Sequence, residues 1–200
     1  MDIFESINEN SNKHIYEVDK GYFEFVKPTF IENWNKELYN MSIAQVGLKL
    51  SFYEMKVLHT YLNGEFSEGA VNYYPELKDS VKEIKNDLIS RIDKYKSRFP
   101  YGFFVRLGSR SPKDGFDFYK TSGHCFNGKQ ALNTLGDSSE RIYIDILEAL
   151  QCNYNSYIWL RDWLNFEPWQ EFRCFMYNKQ LIGITQYNLL NHEIFAIVCI

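Results

Sequence analysis

Ser156-Tyr157-Ile158-Trp159-Leu160-Arg161-Asp162-Trp163, followed by Glu171-Phe172-Arg173-Cys174-Phe175-Met176-Tyr177 and Gln180-Leu181-Ile182-Gly183-Ile184-Thr185-Gln186-Tyr187, decides the fold class. Each run is short, rich in aromatic and β-branched residues and bounded by polar residues, so strands are expected over 156–163, 171–177 and 180–187. Asn178-Lys179 between the last two is a tight polar pair suited to a hairpin. Alternation puts Phe172, Cys174 and Met176 on one side of the middle strand and Glu171, Arg173 and Phe175 on the other. A further strand, Phe103-Phe104-Val105-Arg106-Leu107, runs into the turn formers Gly108 to Gly115.

Upstream the period changes to that of helices. Ser51 and Glu54 have capping-box spacing, Met55, Leu58 and Leu62 repeat at three and four residues, and Asn63-Gly64 supplies a left-handed stop, which places a helix over 52–63. Leu77, Val81, Ile84, Leu88, Ile92, Tyr95 and Phe99 also step by three and four, giving one long helix that Pro100 ends. Its other face mixes Lys78, Lys82, Lys85 and Arg91 with Asp79, Glu83, Asp87 and Asp93, the pattern of a solvated surface. Asp137, three residues before Glu140, is the expected cap of a helix over 138–150 that carries Ile142, Ile146, Leu147 and Leu150 inward. A shorter helix is expected near 128–135. Gly21 to Phe30 reads as an edge strand or extended segment interrupted at Pro28, and residues 1–13 as a frayed arm.

Two hundred residues suit one domain, mainly helical over 1–100 and strand-rich over 101–190. With 45% hydrophobic and 24% charged residues the composition is that of a globular protein, not of a disordered chain or a coiled coil. Lys and Arg number 22 against 26 Asp and Glu, for a formal net charge of -4, which argues against a protein that blankets nucleic acid with cations. No apolar stretch approaches the roughly 20 residues that span a bilayer. Cys125, Cys152, Cys174 and Cys199 show no C-x-x-C spacing and the N-terminus no signal-peptide pattern, so reduced thiols in the cytoplasm are expected.

The loop after Leu107 concentrates chemistry. Arg106, Arg110 and Lys113 fall within eight residues, beside Ser109, Ser111, two glycines and Asp114. Cations and free backbone amides on a strand-to-loop turn are what a polyphosphate needs, although no Walker A sequence occurs and a basic turn also serves simply to meet solvent. Glu171 and Arg173 on one strand face suit a charged ligand or a cross-strand salt bridge equally. His124 and Cys125 are adjacent on a strand and therefore point apart, so a structural role outweighs a catalytic pair. His14, His59 and His192 have no zinc-site spacing.

Taken in order, Arg106-Leu107 with Ser111-Pro112-Lys113-Asp114, then Trp159-Leu160-Arg161-Asp162-Trp163, then Glu171-Phe172-Arg173-Cys174-Phe175, then Leu181-Ile182-Gly183-Ile184-Thr185-Gln186 resemble the signature of the cell division cycle protein 123 homologues. The resemblance spans about Ser51 to Asn188. It implies an α+β, ATP-grasp-like fold with mixed or antiparallel sheets and flanking helices, in which two lobes hold ATP and magnesium. It further implies an ATP-dependent assembly factor for translation initiation factor two that binds the gamma subunit. On that resemblance Arg106 meets the nucleotide phosphates, and Ser111, Lys113 and Asp114 form the loop that follows. Trp159, Leu160, Arg161, Asp162 and Trp163 are the linker strand beside adenine, and Arg173, preceded by Glu171, is the second phosphate-facing cation.

The sequence departs from the family pattern at Gly115, where Ala is usual, at Asp162 in place of Lys, and at Tyr187 in place of Arg. The family's acidic N-terminal insertion is absent. So are the C-terminal strands whose acidic residues and D-F-N-P motif supply magnesium ligands, so the fold is expected to be incomplete at its C-terminus and magnesium to be poorly held. Two alternatives stay open. One is a nucleotide-independent scaffold or truncated remnant; the other is an ATP-grasp ligase that forms an acyl phosphate for attack by an amine, although no residue identifies a second substrate.

Overall fold

Four strands, β1 (Gln45–Lys49), β2 (Phe103–Leu107), β3 (His124–Cys125) and β4 (Tyr157–Asp162), form an antiparallel sheet in the spatial order β1-β4-β2-β3. The computed structural model describes residues 18–62, 74–136, 139–167, 170–178 and 180–186. The chain divides into two compact units, Met1–Trp163 and Leu164–Ile200. The four-stranded sheet belongs to the first. In the second, β5 (Phe172–Tyr177) and β6 (Gln180–Gln186) pair antiparallel.

The period-two pattern of the strands sorts their side chains. Val46, Leu48, Phe103, Val105, Leu107, Cys125, Ile158 and Leu160 turn to one side, and helices cover them. α3 (Phe52–Leu62) contributes Met55 and Leu58, and α4 (Val81–Asp93) contributes Leu88 and Ile92. α6 (Gly128–Gly136) brings Ala131, Leu132 and Leu135, and α7 (Glu140–Gln151) brings Ile142, Ile146 and Ala149. Full burial of each large aliphatic side chain is worth about 1.5–3 kcal/mol, so this layer holds the sheet in place. The sheet's other side carries the polar residues considered below.

Local chemistry explains the helix ends. Glu54 Oε2 accepts from the Ser51 amide at 2.7 Å and Ser51 Oγ from the Glu54 amide at 3.2 Å, the expected reciprocal cap. Asn63-Gly64, the expected stop, lies outside the described residues. The long helix expected over 77–99 is a 3-10 turn at Pro75–Leu77, α4, and a second 3-10 turn at Lys96–Arg98. α7 starts later than expected, because its cap is Ser139, whose Oγ accepts from the Ile142 amide at 3.3 Å. Asp137 lies outside the described residues.

The edge strand expected over 21–30 is instead α1 (Lys20–Val26) followed by 3-10 turns at Lys27–Thr29 and Ile31–Asn33. Asp19 caps α1 by accepting from the Tyr22 amide at 3.0 Å, and Pro28 sits in the first positions of a 3-10 turn, where its missing N–H costs nothing. Two further helices, α2 (Lys36–Met41) and α5 (Phe116–Thr121), and strand β1 have no counterpart in the sequence reading. In the β5–β6 hairpin, Arg173 lies opposite Thr185, and Asn178 takes φ 46°, the left-handed value a tight turn requires. Lys179 and Tyr187 lie outside the described residues.

Candidate functional site

Residues directly opposite in an antiparallel sheet share a face. Arg106 pairs with Trp159, which pairs with Gly47, so these three make one row across the outer face. Phe104, Arg161 and Gln45 make the next row. Gly47 suits the position, because a Cβ there would come within 2.8 Å of the Trp159 indole. The indole Nε1–H donates to Glu32 Oε2 at 3.0 Å, and the Tyr154 hydroxyl donates to Glu32 Oε1 at 2.9 Å.

Two guanidinium groups thus stand on adjacent rows of the same face. Burial, helped by the neighbouring Arg161 charge, lowers the Arg106 pKa to about 10, while Glu32 and Asp145 pull it back up. Burial lowers Arg161 as well. Both remain cationic at neutral pH. Arg106 donates to backbone carbonyls, Nε to Leu107 at 2.9 Å and Nη2 to Ser109 at 3.2 Å. Arg161 Nη2 donates to Ser42 Oγ at 2.8 Å. Its Nε, and both amide atoms of the buried Gln45, are buried without a hydrogen-bond partner among the described residues. Leaving such a group unsatisfied costs about 1–3 kcal/mol, so a polar partner on this face is favoured.

The loop beyond Leu107 is spent differently from what the sequence suggests. Arg110 grips the buried Asp145 carboxylate of α7 with two nitrogens, at 2.9 and 2.6 Å. Burial pushes the Asp145 carboxyl up. Asp114 caps α7, accepting from Ser139 Oγ at 2.6 Å and from the Arg141 amide at 3.1 Å. Ser111 and Lys113 are half-buried beside it.

The structure brings Arg106, Trp159 and Arg161 together and turns other candidates away. Leu160 is fully buried on the helix side, and Asp162 lies opposite Phe103 on that same side. Trp163 stacks on His124 with ring centres 4.0 Å apart and planes 6° apart. Cys125 points into the core, where burial raises its thiol to about 11, so it forms no nucleophilic pair with His124. Glu171 and Arg173 belong to the second unit. Glu32, Ser42 and Gln45 escaped the sequence reading, since the β4 residues that they meet, Trp159 and Arg161, lie more than 100 residues further along the chain.

A sequence profile of the D123 family matches residues 72–196. The chain belongs to the D123 family. This is the family of the cell division cycle 123 proteins that the motifs resemble. The D123 chain is 30% identical over 120 residues to the translation initiation factor eIF2 assembly protein of Dictyostelium discoideum, a match that covers 54% of this chain and 29% of that protein. Its fold is similar to that of Cdc123 from Schizosaccharomyces pombe, at TM-score 0.60 and 22% identity, covering 82% of this chain and 63% of the other. A C-terminally truncated form of the same protein gives TM-score 0.61 and 22% identity over 82% and 65% of the two chains. The D123 chain therefore spans less than a third of the Dictyostelium protein and just under two thirds of the S. pombe chains. It shares with the latter an α+β fold with antiparallel sheets.

Proposed function

We propose that this D123 chain is an ATP-binding assembly factor whose outer sheet face holds the nucleotide phosphates in an ATP-grasp-like arrangement. One observation carries the reading. Arg106 and Arg161 stand half-buried on adjacent rows of one face, where the Arg161 Nε–H and the Gln45 side-chain amide have no partner among the described residues. Paired guanidinium groups complement phosphate oxygens, and an anion placed there would relieve their mutual repulsion. Lys113 is a further candidate cation within the same unit.

Magnesium fits the described residues poorly. Among them no three His, Cys, Asp or Glu side chains converge, and Asp114 is committed to capping α7. No step here passes through the metal. For the partner, the name of the Dictyostelium relative supports translation initiation factor two, with the gamma subunit implied by the family resemblance, and hence a cytoplasmic setting. No helix among the described residues is long and apolar enough to cross a membrane.

A nucleotide-independent scaffold is the second reading. It is favoured by Arg106 already serving the Leu107 and Ser109 carbonyls. Thermal unfolding with and without ATP separates the two. A binder at 100 times its Kd gains about 2.7 kcal/mol and loses that gain with Arg106→Ala, whereas a scaffold is indifferent to nucleotide in both forms.

A further inference from the structure

Residues 32–44 cross the outer sheet face as a strap. At one end the Ile31 amide donates to the Gly108 carbonyl at 3.2 Å, and at the other Ser42 receives Arg161. Between them Glu32 accepts from Trp159 and Tyr154, the Tyr39 ring lies 5.9 Å from the Trp159 ring, and the Tyr39 hydroxyl donates to the Gln45 carbonyl at 3.3 Å. The strap thus covers the two adjacent rows that hold the cations.

Its attachment is weak for its length. Ile31 and Gln45 at the two ends are buried, but no residue from 32 to 44 is, and α2 within it leaves Leu38 and Met41 exposed. A segment with few buried apolar contacts opens locally at low free-energy cost. Under it lie the buried Arg161 Nε and Gln45 amide that the closed arrangement leaves without partners among the described residues. The strap also brings its own anion, since Glu32 is among the carboxylates that offset the Arg106 charge.

We propose that the strap is an autoinhibitory cover on the cation face: Ser42 takes a hydrogen bond from Arg161, Glu32 holds the strap down by accepting from Trp159 beside Arg106, and the ligand binds by displacing both. The inference rests on the proposed function, because it names how access to the same site is regulated. The apparent affinity for the ligand is then the intrinsic affinity reduced by the fraction of molecules with the strap open. Removing the Glu32 charge or the Ser42 hydroxyl raises that fraction and removes a competing group.

The test measures ATP dissociation constants for the 200-residue chain and for Glu32→Gln, Ser42→Ala and Arg106→Met, each with its fold verified by circular dichroism. Hydrogen exchange of the Tyr39 amide, bonded to the Asn35 carbonyl in α2, is followed with and without ATP. Glu32→Gln and Ser42→Ala are expected to tighten binding by roughly fivefold or more, Arg106→Met to abolish it, and ATP to speed Tyr39 exchange in the wild type. Wild-type affinity in both strap variants, with binding lost in Arg106→Met, overturns the strap and leaves the cation face standing. Undiminished binding by Arg106→Met, or no binding by any of the folded chains, overturns the cation face and the strap together.

Discussion

Gly108→Ala probes the closest approach of the strap to the sheet. A Cβ at this position would fall on the Glu32 carboxylate, and Gly108 does not occupy the left-handed region, so the cost is one of space and not of backbone strain. Glu32 must swing away, which breaks its hydrogen bonds from the Tyr154 hydroxyl and the Trp159 indole. Hydrogen bonds to a charged group are worth about 1.5–3 kcal/mol each, and the partial exposure of Glu32 keeps the pair at the low end, near 3 kcal/mol in total. In a domain of this size that lowers the melting temperature by about 6–12 °C. A double-mutant cycle isolates the mechanism. In a Glu32→Ala background the same Gly108→Ala change is expected to cost almost nothing. A cost as large in that background as in the wild type would refute the argument.

Three other outcomes follow from single sites. Gly128→Ala places a Cβ 2.9 Å from the Ile89 Cα and 3.0 Å from its carbonyl carbon, both backbone atoms, so chemical denaturation should show a loss of about 1–3 kcal/mol despite the better helix propensity of Ala. Burial lowers the His59 pKa from 6.5 to about 4, so the unfolded chain binds the proton first; this stability is complete above pH 6.5 and lost as pH falls towards 4. About 2 kcal/mol should disappear by pH 5, and urea titrations of His59→Phe across that window should lack the loss. In thiol labelling at pH 8 of the folded chain, the exposed Cys174 should react and the buried Cys125 should stay protected until the chain unfolds.

What could be read from the sequence was local. The strands at 103–107, 157–162, 172–177 and 180–186 announce themselves by composition and turn residues, and α3, α4 and α7 by periodicity. The segment after Asp19 misled because Tyr22, Phe23, Phe25 and Val26 fit two periods, and only Phe23 is buried in α1. At the site, the motif words located Arg106 and residues 159–163. The motifs did not say which side each residue takes: strand alternation sends Trp159 and Arg161 outward and Leu160 inward. In the one-dimensional chain Arg110 looks like a phosphate-binding cation and Asp114 like a member of the same loop. In the fold both meet α7, which presents Asp145 to the first and its N-terminus to the second. Glu32, Ser42 and Gln45 left no trace because their meaning lies in contacts across the sheet.

Calorimetric titration of the purified chain with ATP, with and without magnesium, repeated on Arg106→Ala and Arg161→Met, tests the central claim. Saturable binding near one ATP per chain, lost in both variants, is the predicted result. No heat from a chain shown to be folded, or binding unchanged in both variants, would contradict it.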